Sequence, residues 1–264
     1  MTTGSAPTTG LEQPSKDALV VRSNVPIETD YLKYRPYLRK DFFYSCGYCT
    51  LTEAEALGIR FTIDHYEPQS FRPDLVAKYE NLMYSCGECN LRKGDISPPP
   101  EARAKGIRFF RPDQDSLYEH FELKYLDDGW YLNGLTPIGT FSVDYLDLNR
   151  QWLKRLRGLR QELSETVRFT AFGIAALRGV PLDQLPTSIR GKAASAIQRK
   201  VAVLDFIEDE LDDLLRSIAK SDLLDEDPEN ERRAQERAAK MLGHKALFPG
   251  TWRAPRGIKR KRSR

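Results

Sequence analysis

From Asn149 onward, apolar residues recur every three or four positions: Trp152, Leu156, Leu159, Leu163 and Val167. That period predicts an amphipathic helix, with Asn149 as its N-cap. Gly179-Val180-Pro181 closes the next stretch. A second long helix is predicted from about Thr187 to Leu224, its apolar face running from Ile189 through Ile197, Leu204 and Leu211 to Ile218. A third comes after Asp227-Pro228, with proline in an N1-like place, and stops near Gly243. Upstream the pattern is different. Arg60–Ile63 is β-branched and aromatic and predicts a strand. Residues 101–147 read as short strands and turns, punctuated by Phe109, Phe110, Asp127-Asp128-Gly129 and Gly139. The expected class is α+β: a compact cysteine-bounded block, a short-strand extension, then a helical region that reads as packed scaffold.

Composition narrows the class. The chain has 264 residues, 40% hydrophobic and 30% charged, enough for one ordinary core. No run approaches ~20 apolar residues, so no membrane span is predicted. The start, MTTGSAPTTGLEQPSKD, lacks the basic and apolar regions of a secretory signal and reads as a disordered leader over residues 1–20. The remaining divisions are 21–100 for the cysteine-bounded domain, 101–147, 148–245 and a tail over 246–264. Net charge is only +3, but Arg253 to Arg264 holds seven basic residues and no acid. Such a tail fits a polyanion; a terminus that touches nothing is the competing reading.

The four cysteines form two pairs, Cys46-Gly47-Tyr48-Cys49 and Cys86-Gly87-Glu88-Cys89. A chain without an export signal is expected in the cytoplasm, where paired cysteines bind metal more often than they form disulfides. Two matched knuckles predict a closed tetrahedral zinc site, with glycine after the first cysteine permitting the tight turn. A lone redox pair or four buried thiols is the blander reading. The interval from Cys49 to Cys86 exceeds that of a simple zinc ribbon, so something is built between the knuckles.

Between and after them lie Asp64-His65, Tyr79-Glu80-Asn81-Leu82 and Cys89-Asn90-Leu91-Arg92-Lys93-Gly94. Phosphodiester hydrolysis needs a base, a cation for the developing charge and a positioned water. Histidine titrates near neutrality and suits the base. Asp64 and the Asn90 amide offer the hard oxygens that Mg²⁺ or Mn²⁺ takes. Neighbouring residues of a strand point to opposite sides, so a bend or bulge after Asp64 is expected to bring it and His65 to one task. Taken singly, each residue has a bland reading as surface or cap; the ordered ensemble does not.

The stretch Cys46 to Asp95 resembles the zinc-knuckle branch of the HNH endonuclease superfamily, whose fold is the ββα-metal finger. The resemblance implies His65 as general base, and Asp64 and Asn90 as ligands of a catalytic Mg²⁺ or Mn²⁺. It implies Asn81 as the residue that fixes the loop and orients His65, and Cys46, Cys49, Cys86 and Cys89 as holders of structural zinc. Asn90 stands where many relatives carry histidine; both occur in the family. The implied substrate is nucleic acid, with double-stranded DNA the expected form, cut one strand per site to leave 5′-phosphate and 3′-hydroxyl ends. Double-strand breaks would then need two sites, hence a dimer. Phosphate contacts are expected from Arg72, Arg92 and Lys93, and further off from Lys33, Arg35, Arg39 and Lys40 beside Tyr34 and Tyr37; for the two tyrosines core packing is the preferred reading. Lys93 and Asp95 pairing with each other is an alternative. His120 and His244 read as structural.

The run Gly134-Leu135-Thr136-Pro137-Ile138-Gly139, with Val143 to Arg150, is similar to the region after this block in prokaryotic defence and mobile-element nucleases, the Septu type among them. There the nuclease works beside an ATPase partner. Two other readings stand beside the nuclease: a zinc-knuckle nucleic-acid-binding module without catalysis, and a partner-gated antiviral defence effector docked through its C-terminal helices, which keeps nuclease chemistry but changes what switches it on.

Overall fold

The structure, a computed structural model, describes residues 17–56, 59–126, 129–178, 187, 190–196, 198, 227 and 229–253. It begins inside the expected leader: Ala18 bridges Ser116 and Val20 is buried. A 3₁₀ turn over Tyr31–Tyr34, capped by the Asp30 carboxylate on Leu32 N (2.9 Å), leads into α1 (Arg35–Asp41). Pro36 starts that helix with its fixed φ.

Strands β1 (Phe61–His65) and β2 (Leu82–Cys86) pair antiparallel, and α2 (Gly87–Lys93) continues from β2 without a break. The register runs from Phe61↔Cys86 to His65↔Leu82. Every residue of β2 is buried, because the strand meets both α1 and α2. Residues 66–81 loop out between the strands through two short 3₁₀ turns.

The extension from 101 to 147 is more helical than its sequence predicts. It holds one hairpin, β3 (Phe121–Leu126) with β4 (Gly129–Gly134), and three short helices, α3 (Pro100–Ala104), α4 (Leu117–His120) and α5 (Pro137–Tyr145). The aromatic and β-branched content of Phe141, Val143 and Tyr145 suits a strand. Thr136, whose hydroxyl accepts from Gly139 N, and Pro137 at the first turn nevertheless start a helix there. Gly139 sits within α5 rather than ending an element. A Cβ on it would lie 2.0 Å from His120 O, so only glycine lets α5 lie this close to the chain leading into β3.

Helix α6 (Gln151–Arg178) matches the apolar period, but Asn149 does not cap it. The Asn149 amide instead bonds the backbone of β4, Oδ1 to Leu132 N (2.8 Å) and Nδ2 to Leu132 O (3.0 Å). The first amide of α6, Gln151 N, is met by the Asp227 carboxylate at 3.2 Å. The second predicted helix lies largely outside the described residues; 190–196 of it are helical. Helix α7 (Asn230–Leu247) runs through Gly243 and ends four residues later than predicted. It docks by polar contacts: Arg233 and Arg237 on Asp147, Lys240 on Asp144, and His244 Nδ1 on Tyr145 OH (3.0 Å). Beyond it, Trp252 is a core residue and Arg253 bridges Ile96, so the segment expected as a tail starts inside the fold. The basic run from 254 lies outside the described residues. Among the described residues no helix is long and apolar enough to cross a membrane.

Candidate metal and hydrolytic site

The two cysteine pairs converge. Cys46, Cys49, Cys86 and Cys89 are buried, form no disulfide, and their sulfurs all lie within 4.8 Å of one another. Tetrahedral zinc with bonds of about 2.3 Å sets sulfurs about 3.8 Å apart, and Cys49 Sγ and Cys86 Sγ are 3.8 Å apart. Burial pushes the Cys46 thiol well above its ordinary range; a divalent ion would reverse that balance and take the thiolate. The donor set therefore fits zinc.

Backbone bonds shape both turns. Cys46 N donates to Leu51 O (2.8 Å), Thr50 N to Cys46 O (2.9 Å), and Gly47 N to Tyr84 O (2.8 Å), which ties the first knuckle to β2. Gly87 N donates to Arg60 O (2.7 Å), tying the second to β1. Neither knuckle glycine supplies a left-handed turn. That conformation falls to Thr50, at φ 61°. Gly47 is needed for space: a Cβ there would lie 2.6 Å from Phe42 Cε1.

The second cluster lies at the other end of the hairpin. The ladder is regular to His65↔Leu82, with no bulge after Asp64, so the expected bend is not found. Asp64 and Thr62 share the face covered by α2. Asp64 is 4% exposed; its Oδ2 accepts from Tyr48 OH (2.6 Å) and its Oδ1 from Lys93 Nζ (3.1 Å). Asn90 Nδ2 donates to Thr62 Oγ1 at 3.0 Å. A carboxylate has about four lone-pair sites, and these two contacts leave part of Asp64's set. With the Asn90 amide oxygen, the donors are hard oxygens suited to Mg²⁺ or Mn²⁺.

His65 leaves the strand on the opposite side. Its Nε2 is 3.0 Å from Val76 O, and its Nδ1 is 3.0 Å from Gln69 Nε2. A carbonyl only accepts, so Nε2 carries the proton and Nδ1 presents its lone pair, met by the Gln69 amide. The Tyr31 ring packs edge-on at 4.8 Å. Burial lowers the His65 pKa from its ordinary value and favours the neutral ring.

Asn81 pins the intervening loop. Its Oδ1 accepts from Glu67 N (2.8 Å), and its Nδ2 donates to Glu67 O (3.1 Å) and Leu75 O (3.3 Å). It does not bond His65. It holds the carbonyl of Leu75, and the next carbonyl, Val76, holds the imidazole.

The expected phosphate contacts divide. Arg72 is exposed and paired with Asp74 (2.7 Å). Arg92, half-buried, pairs with Glu88 and lies 3.8 Å from Asp147. Lys93 is a correction: it is wholly buried, with Nζ on Asp64 and on His65 O (2.8 Å), and has no surface to offer a phosphate. Asp95 faces Arg253 at 3.6 Å, so the alternative Lys93–Asp95 pairing does not form either. Lys33 and Arg39 are in ion pairs with Glu28 and Glu53, and Tyr34 is core. His120 bonds Thr136 Oγ1 at 2.7 Å, a structural contact like that of His244. Tyr48 and Gln69 escaped the sequence reading. Tyr48 lies inside the first knuckle, and Gln69 four residues past His65, a spacing that a turn after the strand folds back onto the ring.

Known proteins resemble part of this chain in sequence. The family model of the HNH endonucleases matches residues 46–95. A Septu protein PtuB from Bacillus thuringiensis is 22% identical over 148 residues, 52% of this chain and 55% of that protein. The chain thus spans about half the length of the curated relative it matches. No solved structure matches. Residues 46–95, two strands and a helix with a four-cysteine cluster at one end, are the part of the chain that matches the HNH endonuclease family model.

Proposed function

We propose that this chain is a metal-dependent endonuclease that hydrolyses phosphodiester bonds of nucleic acid, with double-stranded DNA as its substrate and the cytoplasm as its place of work. The observation that carries the reading is the 3.0 Å contact between His65 Nε2 and the Val76 carbonyl. With Nε2–H committed to the Val76 carbonyl, the Nδ1 lone pair is the one group on the ring able to take a proton. Water attacks phosphorus as its proton passes to Nδ1, the bond between phosphorus and the 3′ oxygen breaks, and the leaving oxygen takes a proton from solvent water. The products are a 5′-phosphate and a 3′-hydroxyl. Asp64 and Asn90 would hold one Mg²⁺ or Mn²⁺, which when bound neutralises charge on the phosphate and on the leaving oxygen; with no bend in β1, His65 would act on that phosphate from the opposite side of the strand end. Lys93 fixes the Asp64 carboxylate and the His65 carbonyl, joining α2 to the end of β1. Asn81 keeps the loop that aims His65. Cys46, Cys49, Cys86 and Cys89 would hold structural zinc. Arg72 and Arg92 would contact backbone phosphates, giving affinity and salt dependence but little choice of sequence.

Supercoiled plasmid with Mg²⁺ or Mn²⁺ tests this. Wild type should nick it, and His65→Ala should lose about 10²–10⁴-fold in rate with fold and DNA binding kept. Equal cleavage by both removes His65 from the chemistry. Likeness to a Septu protein supports a second, compatible reading: a defence nuclease held in check until a protein partner, an ATPase, engages it. A purified chain that is silent alone and cleaves once the partner is added would favour that reading.

A further inference from the structure

Arg150 lies well beyond the matched segment, at the start of α6, yet its guanidinium reaches the cysteine cluster. It is 2% exposed, with Nη2 3.8 Å from Cys89 Sγ. Nη1 donates to Leu146 O (3.2 Å) and Asp147 O (3.1 Å), Cζ stands 4.6 Å above the Trp152 ring, and Nε has no hydrogen-bond partner. Among the described residues no carboxylate pairs with it. The Asp147 carboxylate faces other arginines, Oδ1 toward Arg233 (2.9 Å) and Arg237 (3.1 Å) and Oδ2 toward Arg92 (3.8 Å), and makes no ion pair with Arg150.

A guanidinium does not shed its proton in a protein. Buried without an anion, it is strongly disfavoured. Carbonyl dipoles and a ring face soften that cost without cancelling the charge. The sulfurs are the remaining counter-charge. Four neutral thiols supply none, whereas four thiolates around one divalent ion carry a net double negative charge. Arg157, further along the same helix, repeats the pattern: its guanidinium bonds the carbonyls of Trp130 and Leu148 and Asn149 Oδ1 (3.1 Å), again with no carboxylate among the described residues.

We propose that Arg150 is the counter-charge of the tetrathiolate metal centre, and that its positive charge sets how tightly the metal is held. The metal centre is then completed electrostatically by the helical region rather than by the knuckles alone. Arg150 is a positioning and charge-balancing residue, not a ligand.

The experiment is zinc competition on the full-length chain with a chromogenic chelator, comparing wild type, Arg150→Met and Arg150→Lys. Cobalt substitution reports whether four thiolates still bind. Arg150→Met should lower zinc affinity at least about tenfold, the usual effect of removing an outer partner of a metal ligand, with the cobalt–thiolate bands retained. Arg150→Lys, which keeps the charge and loses the fork, should stay within about threefold of wild type on the same scale. If Arg150→Met fails to fold, the lysine variant still decides: a loss as large as for Cys89→Ser overturns the charge assignment. Arg150→Met with wild-type affinity overturns it too. The inference rests on reading the cysteines as a zinc site, and the two fail differently. A wild-type chain without zinc sinks that reading; a zinc-binding wild type with an indifferent Arg150 sinks this one.

Discussion

One hairpin carries two clusters of ligand-type side chains, and they are built on opposite plans. Cys86 pairs with Phe61 at one end of the ladder and His65 with Leu82 at the other, about 14 Å apart along the strand. At the cysteine end everything is closed. Four buried sulfurs face one another, each knuckle is tied to a strand by a backbone bond, and Arg150 covers the outside. The Asp64–His65 end is buried too, but its polar atoms are not all committed: a carboxylate with lone pairs to spare, an amide bonded through its nitrogen alone, and an imidazole whose Nδ1 is met by a long side chain. A site that holds the fold needs all its positions filled, whereas one that turns over substrate must keep some that water and phosphate can enter. Helix α2 serves both, with Cys89 in its first turn and Lys93 in its last.

The sharpest way to break the contrast is Cys86→Ser. A structural zinc is worth about 10–16 kcal/mol in apparent binding energy, against a typical net stability of about 5–15 kcal/mol. The variant should fail to hold zinc and lose its fold at 25 °C by circular dichroism. A zinc-free variant with the wild-type urea midpoint would make the cysteine end a packing cluster and nothing more.

Next in size is Lys93→Met. Lys93 is the buried cation of Asp64, and removing one partner of such a pair costs about 3–5 kcal/mol, read from the urea midpoint. Adding Asp64→Asn, which removes the stranded charge, should restore most of the stability but not cleavage. If both variants unfold like wild type, the pair is solvated and the two ends of the hairpin are less distinct than they look.

The two ends also differed in legibility. Knuckles, Asp-His and Cys-Asn are local signals, and the ββα order comes from them. The features that escaped were set by distant partners. Lysine is almost never fully buried, so Lys93 reads as surface until Asp64 is seen across α2. Asn149 before an apolar period reads as a cap, but β4 takes its amide and Asp227, from the far end of the chain, caps α6 instead. Arg150 carries no local mark, since nothing near it in sequence says that a sulfur lies 3.8 Å away. Helix α5 was legible and missed: Thr136-Pro137 is a start signal that the aromatic content behind it obscured.

The smallest effect probes the Asp64–His65 end most closely. Burial lowers the His65 pKa, so cleavage should keep its full rate below the ordinary imidazole value of about 6.5 and fall on further acidification through the lowered value. The Gln69 amide adds to this by donating to the neutral ring's lone pair, a bond that the protonated ring cannot accept. Gln69→Ala removes about 1 kcal/mol of preference for the neutral form, which is less than about one pH unit. The acid limb of the pH–rate profile should therefore move up toward 6.5, with the plateau rate within about tenfold of wild type. Gln69→Asn, too short to reach, should behave in the same way. An unmoved limb would mean that in solution the amide does not sit on Nδ1, and that the base is more open still than its resting contacts suggest.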